Sequence, residues 1–232
     1  MRDLTFQSNP SGPLQVLCLG AHCDDIEIGC GGTLLTLARD HHNVSIHWEV
    51  FSSTPEREHE ARRSAAAFVS DICSTTLSIH QFRDGFLPYA AAELKECFER
   101  LKCEVRPDVI FTHYRDDLHQ DHRVVSELTW NTFRNHLILE YEIPKYDGDL
   151  GRPNLFVPIE DAIRRQKIAM LLECYASQRA RPWFSPEVFS ALLRLRGMEA
   201  NASSTYAEAF YCRKLCLNMN GGRNLNHDIH GQ

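Results

Sequence analysis

Short apolar runs alternate with longer amphipathic segments along the first two thirds of the chain. The short runs are rich in β-branched and aliphatic residues and predict strands at 14–20, 44–51, 75–82 and 107–113. The longer segments carry apolar residues at helical spacing and predict helices at 29–41, 55–70, 91–105 and 121–135. Because each predicted strand is followed by a predicted helix, the pattern favours an α/β fold whose parallel sheet is covered by helices on both faces.

The last third of the chain has a less regular pattern. It predicts a strand at 137–143, a turn-rich surface loop at 145–154, a helix at 159–178 and a late strand at 205–217. Residues 218–232 offer almost nothing to bury, so we expect a flexible C-terminal tail there, after a single domain that spans 1–217.

Composition narrows the class of protein. The chain has 232 residues, of which 43% are hydrophobic, enough for one domain with a sizeable core. The net charge of −6 comes without a basic stripe, so we expect no nucleic-acid partner. No window approaches the roughly 18 apolar residues of a membrane span, and the polar N-terminal stretch does not resemble a signal peptide. Nine cysteines without a C-x-x-C pair predict a protein of the reducing cytoplasm, and a homo-oligomer stays open.

Two dense groups of polar residues each follow a predicted strand. The stretch AHCDD, residues 21–25, follows the first strand, and HYRDDLHQDHR, residues 113–123, follows the strand at 107–113. In open parallel α/β sheets, ligands bind beyond the carboxyl ends of the strands, where the strand order reverses. The first strand commonly neighbours the strand reached after that reversal, so the two polar loops are expected to face each other across one crevice.

The spacing of histidines and aspartates within these loops suits a metal ion. His22 and Asp25 are three residues apart, as are His119 and His122, and side chains at that spacing share one face of a helical turn. One aspartate with two or three histidines is a ligand set suited to zinc, and a catalytic zinc keeps one position for water beside three protein ligands.

Two further carboxylates are available beside this set, and other interpretations stay open. Asp24 could take a proton from such a water, and Asp121 could orient a ligand imidazole. The Asp-Asp pair could instead bind Mg²⁺ and phosphate, or cap the helix that follows. The glycines at 29, 31 and 32 match neither G-x-G-x-x-G nor a P-loop, so close packing of the helix explains them better.

The two polar stretches resemble a known family. AHCDDIEIGCGGTL, residues 21–34, resembles the AHPDD-x-E-x-G-x-GGT signature of the PIG-L/LmbE-like deacetylases, and HQDHR, residues 119–123, resembles their HPDH motif. Further stretches that resemble family positions are R-x-x-E at 57–60, YASQ at 175–178 and YAEAF at 206–210. The resemblance extends over about residues 14–216.

This resemblance implies a fold and an activity. The family has a Rossmann-like doubly wound sheet, and its members are zinc-dependent hydrolases that remove acetyl groups from N-acetylated amino sugars or glycoconjugates. We therefore expect a zinc-dependent amide hydrolase that acts on an N-acetylated small molecule, in the first place an amino-sugar compound of a biosynthetic pathway. The rival hypotheses are a Mg²⁺-dependent enzyme that handles phosphate and a binding protein that keeps the fold without turnover.

Carried over by motif position, the resemblance also implies roles for individual residues. It implies zinc ligands at His22, Asp25 and His122. It implies that Asp24 is the general base and that His119, in its protonated form, stabilises the oxyanion or assists the leaving amine. Asp121 would support a histidine, and Arg57 would contact substrate.

The chain departs from the family pattern at two places. Cys23 replaces the proline of AHPDD, and Gln120 replaces the proline of HPDH. A proline would stiffen the loop, so the loop at Cys23 is expected to be looser or to be fixed in another way. We favour a Cys23 side chain that packs into the protein over one that serves as a soft metal ligand. The sequence leaves open whether His113 lines the pocket or is structural.

Overall fold

Strands and helices alternate around one mixed sheet in the computed structural model, which describes residues 12–41, 43–70, 72 and 74–216. Within these residues, the strands are β1 (Leu14–Gly20), β2 (Val44–Ser52), β3 (Ser74–Phe82), β4 (Val109–His113), β5 (Leu137–Tyr141), β6 (Leu155–Ile159) and β7 (Tyr206–Cys212). The α-helices are α1 (Asp25–Asp40), α2 (Pro55–Phe68), α3 (Ala91–Glu104), α4 (Gln120–Thr132), α5 (Asp161–Cys174) and α6 (Pro186–Glu199).

The sheet has the order β3-β2-β1-β4-β5-β7-β6. The first five strands of the chain pair in parallel, whereas β7 is antiparallel to both β5 and β6. This confirms the expected doubly wound, mostly parallel α/β fold. The strand order reverses between β1 and β4, which pair from Val16 opposite Val109 to Cys18 opposite Phe111. The carboxyl ends of these two strands therefore lie side by side, where the polar loops begin.

Alternate residues of β1 enter cores on opposite faces of the sheet. Cys18 belongs to the larger core, which α1, α2, α5 and α6 cover, while Leu17 and Leu19 belong to the smaller core under α3 and α4. A strand that is buried on both faces has a continuous apolar sequence, as this one does.

The glycines of α1 allow the helix to pack closely. A Cβ atom on Gly29 would lie 2.2 Å from the ring of Tyr141, and one on Gly31 would lie 2.6 Å from Phe68. These separations are too short for any side chain, so the interpretation of the glycine cluster as a packing feature is confirmed.

Several predicted element boundaries were wrong. Helix α1 begins at Asp25 rather than at residue 29, which places two acidic side chains, Asp25 and Glu27, in its first turn. Strand β6 and helix α6 were missed, and the helix predicted at 159–178 ends at Cys174. The late strand ends at Cys212. No helix in the described ranges is both long and apolar enough to cross a membrane. The predicted tail at 218–232 lies outside the described residues, and the domain boundary at 217 stays a prediction.

Candidate active site

The loops that follow β1 and β4 form one wall of a cavity of about 530 Å³. It is lined by every predicted site residue except Asp121, namely His22, Asp24, Asp25, Arg57, His119 and His122. The buried Asp121 lies directly behind, with its carboxylate against His22. Residues from distant parts of the chain thus meet because β1 and β4 are parallel neighbours.

Three possible metal-ligand side chains converge at this wall. His22 Nδ1 lies 3.2 Å from His122 Nε2 and 3.4 Å from Asp25 Oδ2, and His122 Nε2 lies 3.5 Å from Asp25 Oδ1. A tetrahedral zinc site with ligand bonds of about 2.0–2.1 Å has ligand atoms about 3.3–3.4 Å apart. The chemistry of these donors suits a zinc-like ion, although His22 and His122 face different oxygens of Asp25. The described groups whose ligand atoms all lie within 4.8 Å of one another are His22 with His119 and His122, Asp25 with His113 and His122, and His22 with Asp84 and Asp121.

The remote nitrogens of both histidines face carboxylates. His22 Nε2 lies 3.2 Å from Asp121 Oδ2 and 3.1 Å from Asp84 Oδ1. His122 Nδ1 lies 2.9 Å from Asp117 Oδ2. Carboxylates in this position fix the tautomer and orientation of a histidine that binds a metal. The sequence pattern indicates only Asp121 for such a role; Asp117 and Asp84 are found from the structure.

Asp121 also anchors the loop between β3 and α3. Its carboxylate accepts hydrogen bonds from the backbone amides of Gly85, at 2.7 Å, and Leu87, at 3.1 Å. Gly85 has a φ of +78°, in the region that favours glycine, and its carbonyl accepts a hydrogen bond from Gln120 Nε2 at 3.1 Å. The glutamine that replaces the family proline therefore helps to hold the same loop.

The charge of Asp25 is stabilised by imidazoles. Burial by itself would raise the pKa of Asp25, but neighbouring histidines outweigh burial and hold that pKa well below its usual range; in order of effect they are His122, His113 and His22. His113 is fully buried, and its Nε2 accepts the amide of Ala21 at 2.9 Å and lies 3.2 Å from Asp25 Oδ2. It packs behind Asp25 and is not among the residues that line the cavity.

Asp24 presents one oxygen without a partner. Its Oδ1 accepts a hydrogen bond from Arg57 Nη2 at 2.6 Å, whereas its buried Oδ2 has no hydrogen-bond partner among the described residues. Burial raises the pKa of Asp24, and the Arg57 guanidinium opposes that rise. Although Asp24 occupies the N-cap position of α1, its side chain makes no capping hydrogen bond. One oxygen of this buried carboxylate is therefore left unpaired by the described residues, beside the cavity that Asp24 lines.

His119 is held in one tautomer by the backbone. As the N-cap of α4 it accepts the amide of Asp121 on Nδ1 at 3.2 Å, which leaves the proton of a neutral ring on Nε2. Its ring centroid lies 4.9 Å from that of His22 and 4.6 Å from that of His122. Burial lowers the pKa of His119, and the nearby His22 lowers it further. We conclude that the neutral ring predominates at neutral pH.

Cys23 points into the protein. The side chain is fully buried, its Sγ lies 3.6 Å from the carbonyl oxygen of Ser52, and burial raises the pKa of the thiol to about 12. The groups of candidate metal ligands within the described residues include no cysteine. This agrees with the packing interpretation of Cys23.

Two further family-like stretches, R-x-x-E and YASQ, meet next to Asp24. Ser177 donates to both carboxylate oxygens of Glu60, from its amide at 2.9 Å and from its hydroxyl at 2.6 Å. Tyr175 contacts Glu27, and burial raises the pKa of Glu27 to about 8. The Tyr175 hydroxyl lies within hydrogen-bond distance of both Glu27 Oε1 and the Cys23 carbonyl oxygen, and it can donate its single proton to one of them at a time. Sequence analysis noted these motifs but assigned them no contacts.

The chain is similar in sequence to one protein family and to a bacterial deacetylase. Residues 17–133 match the family model described as PIG-L, GlcNAc-PI de-N-acetylase. The chain is 26% identical over 181 residues to the uncharacterized deacetylase YaiS of Escherichia coli strain K12, covering 73% of this chain and 95% of YaiS.

Two solved structures resemble the fold over most of its length. The conserved protein TT1542 from Thermus thermophilus has a TM-score of 0.67 and 27% identity, over 90% of this chain and 99% of that one. The N,N'-diacetylchitobiose deacetylase from Pyrococcus horikoshii has a TM-score of 0.66 and 20% identity, over 85% and 82%.

Proposed function

The chain belongs to the PIG-L family, and from this premise we propose that it is a zinc-dependent amide hydrolase that removes an acetyl group from an N-acetylated amino sugar or a related small molecule of a biosynthetic pathway. The observation that carries the proposal is the meeting of four groups at one cavity wall: two imidazole nitrogens 3.2 Å apart, the Asp25 carboxylate, whose two oxygens lie 3.4 Å from one nitrogen and 3.5 Å from the other, and the unpartnered oxygen of Asp24. YaiS is described as a deacetylase, and the Pyrococcus enzyme is named for an acetylated amino sugar, which supports this substrate class.

We assign the metal to His22 Nδ1, Asp25 and His122 Nε2. In this arrangement the remote N–H of His22 donates to Asp121 or Asp84, and that of His122 donates to Asp117. A zinc ion held there would supply Lewis-acid activation of the amide carbonyl and of the attacking water. The imidazole donors favour zinc over Mg²⁺, which prefers an all-oxygen octahedral shell, so they count against the phosphate-handling rival.

Asp24 is the proton carrier in this proposal. Its free Oδ2 accepts the proton of the attacking water, while Arg57 holds the other oxygen in place. The departing amine then needs a proton. Because His119 is neutral and has only the proton of its Nε2–H, we assign this second transfer to Asp24 as well, whose raised pKa suits a group that both takes and returns a proton.

His119 stabilises the oxyanion as a neutral donor. Its Nε2–H is available because Nδ1 is occupied by the Asp121 amide, so the ring need not be protonated as the sequence led us to expect. Loss of one such donor typically costs about 3 kcal/mol of transition-state stabilisation. Arg57 is half-buried and lines the cavity, so we also assign it a substrate contact.

We expect the purified protein to carry about one zinc ion per chain and to release free amine from at least one N-acetylated sugar. Removal of the metal with a chelator should abolish turnover, and added Zn²⁺ rather than Mg²⁺ should restore it. His122→Ala should lower the zinc content and the activity together, because it removes one of three ligands. Elemental analysis and an amine-release assay on a panel of N-acetyl sugars, sugar nucleotides and glycosides measure these effects.

His59→Ala is the matched control, because His59 is an exposed histidine outside the cavity. Full zinc content in His122→Ala would contradict the ligand assignment. A protein that hydrolyses phosphate esters with Mg²⁺ and leaves every amide intact would support the first rival, and a zinc-loaded protein inactive on the whole panel would favour the binding protein.

A further inference from the structure

The loop that carries Asp24 lacks the proline that stiffens it in the family pattern, yet it is tied down on two sides. The Cys23 side chain contacts the carbonyl of Ser52, and the Cys23 carbonyl oxygen accepts a hydrogen bond from the hydroxyl of Tyr175. No hydrogen bond from the Cys23 amide is present in the described part of the chain, so a proline there would break none. The loop is thus fixed through its carbonyl and its thiol.

Tyr175 reaches this loop from the far end of the sequence. It follows the last residue of α5, and its side chain is fully buried. Besides the Cys23 carbonyl, its hydroxyl oxygen lies 2.5 Å from Glu27 Oε1, in the first turn of α1. Cys23 and Glu27 bracket Asp24 and Asp25 in the sequence, so one hydroxyl group contacts the chain on both sides of these aspartates.

The same segment also reaches Asp24 from a second direction. Ser177 is joined by two hydrogen bonds to Glu60, and Glu60 Oε2 lies 3.9 Å from Arg57 Nε. Arg57 in turn donates to Asp24 Oδ1 at 2.6 Å. The segment 175–177 therefore contacts the backbone that precedes Asp24. It also contacts the pair of Glu60 and Arg57, and Arg57 holds the Asp24 side chain.

We propose that residues 175–177 form a positioning element, the 175–177 clamp, which sets the place of Asp24 in a loop that has cysteine instead of proline at position 23. Tyr175 acts through the Cys23 carbonyl and Ser177 acts through Glu60 and Arg57; neither residue is assigned a contact with substrate. This inference rests on the proposed role of Asp24 as the proton carrier. A displacement of about 1 Å at a catalytic group can cost about 100-fold in rate, so loss of the clamp should be visible in kcat.

The first test is Tyr175→Phe, which removes the hydroxyl and keeps the ring. We expect kcat to fall about 10–100-fold, with KM and zinc content close to those of the unmodified protein. Tyr211→Phe is the matched control, because Tyr211 is another buried tyrosine whose hydroxyl contacts a carboxylate, at Glu142, away from the cavity. If both variants lose activity equally, or if the loss in Tyr175→Phe follows a loss of folded protein, the clamp is refuted.

The second test is rescue by the family residue. Proline fixes φ and would stiffen the loop without the hydroxyl, so Cys23→Pro in the Tyr175→Phe background should restore most of the lost kcat. Cys23→Pro alone should change kcat far less than Tyr175→Phe does. A double variant as slow as Tyr175→Phe alone would show that the tyrosine does not act by holding this loop.

The third measurement does not depend on activity. Hydrogen–deuterium exchange of the segment 19–28 should be about fivefold or more faster in Tyr175→Phe than in the unmodified protein, as expected for the loss of one buried hydrogen bond, and unchanged in Tyr211→Phe. If the unmodified protein deacetylates nothing, the proposed function fails, but this exchange still decides whether the clamp exists. Unchanged exchange in an active protein refutes the clamp and leaves the proposed function intact.

Discussion

Asp24→Asn is expected to lower kcat by about 10²–10⁴-fold while leaving the zinc content unchanged. The amide cannot take a proton from water or return one to the departing amine, so both proton transfers assigned to Asp24 are lost. Its carbonyl oxygen can still accept the hydrogen bond that Arg57 donates at 2.6 Å, so the arginine keeps its place. Steady-state kinetics on the best substrate of the panel, with elemental analysis of the same sample, measure the effect.

The control for this variant is Asp147→Asn. Asp147 lines the same cavity, is exposed, and makes no ion pair among the described residues, so the change removes one negative charge from the cavity without touching the proposed proton path. We expect less than about a threefold change in kcat, since an exposed charge acts only weakly at a distance. Loss of zinc from Asp24→Asn would show that Asp24 binds the metal, and near-normal turnover would show that another group carries the proton.

Strands β1 and β2 were predictable because their sequences have clear strand patterns. Residues 14–20 form a nearly continuous apolar run and residues 44–51 alternate between apolar and polar side chains, and the structure places β1 and β2 there with little change. Strand β6 was missed because it lies at the sheet edge, is largely half-exposed and contains Pro158. Helix α6 was missed although Ser185 caps it and Pro186 opens it, a start signal that sequence analysis had available.

The candidate site was predictable only where its residues are adjacent in the sequence. His22 and Asp25 belong to one short motif, and His119 and His122 belong to another. Their spacing of three residues was enough to predict that the two members of each pair lie close to each other. The pair Asp116 and Asp117 shows the limit. Only Asp117 is buried, against His122, while the side chain of Asp116 is 68% exposed, and nothing in their order distinguishes them.

The contacts of Tyr175 and Glu60 show the same limit over a longer range. Each joins segments more than a hundred residues apart, so the contact depends on the packing of α5 and α2 around α1. The family-like stretches R-x-x-E and YASQ, which contain no assigned metal ligand, thus contact α1 and the residues next to it. YAEAF follows this rule, because Glu208 of β7 contacts α1 directly.

Lys167→Met is expected to lower the free energy of unfolding by about 3–5 kcal/mol, the usual cost of removing one partner from a buried ion pair. Lys167 and Glu208 are 2% and 3% exposed, with Nζ 2.6 Å from Oε1. Lys167 donates a hydrogen bond to the carbonyl oxygen of Ile28 at 2.6 Å, and Glu208 accepts one from the amide of Gly32 at 2.7 Å. An ideal α-helix would join these two backbone groups to each other, so the ion pair serves part of the hydrogen bonding of α1.

Denaturant unfolding separates this effect from a loss of charge in general. Arg39→Met removes a cation whose ion pairs with Asp40 and Glu160 are exposed, and should cost less than about 1 kcal/mol. Lys167→Met with Glu208→Gln should be more stable than Lys167→Met alone, because the second change removes the uncompensated charge and still keeps one of the two oxygens that accept the amides of Gly32 and Thr33. If Lys167→Met lowers the free energy of unfolding no more than Arg39→Met does, the amides of α1 alone stabilise the Glu208 carboxylate. The helix would then not need the lysine.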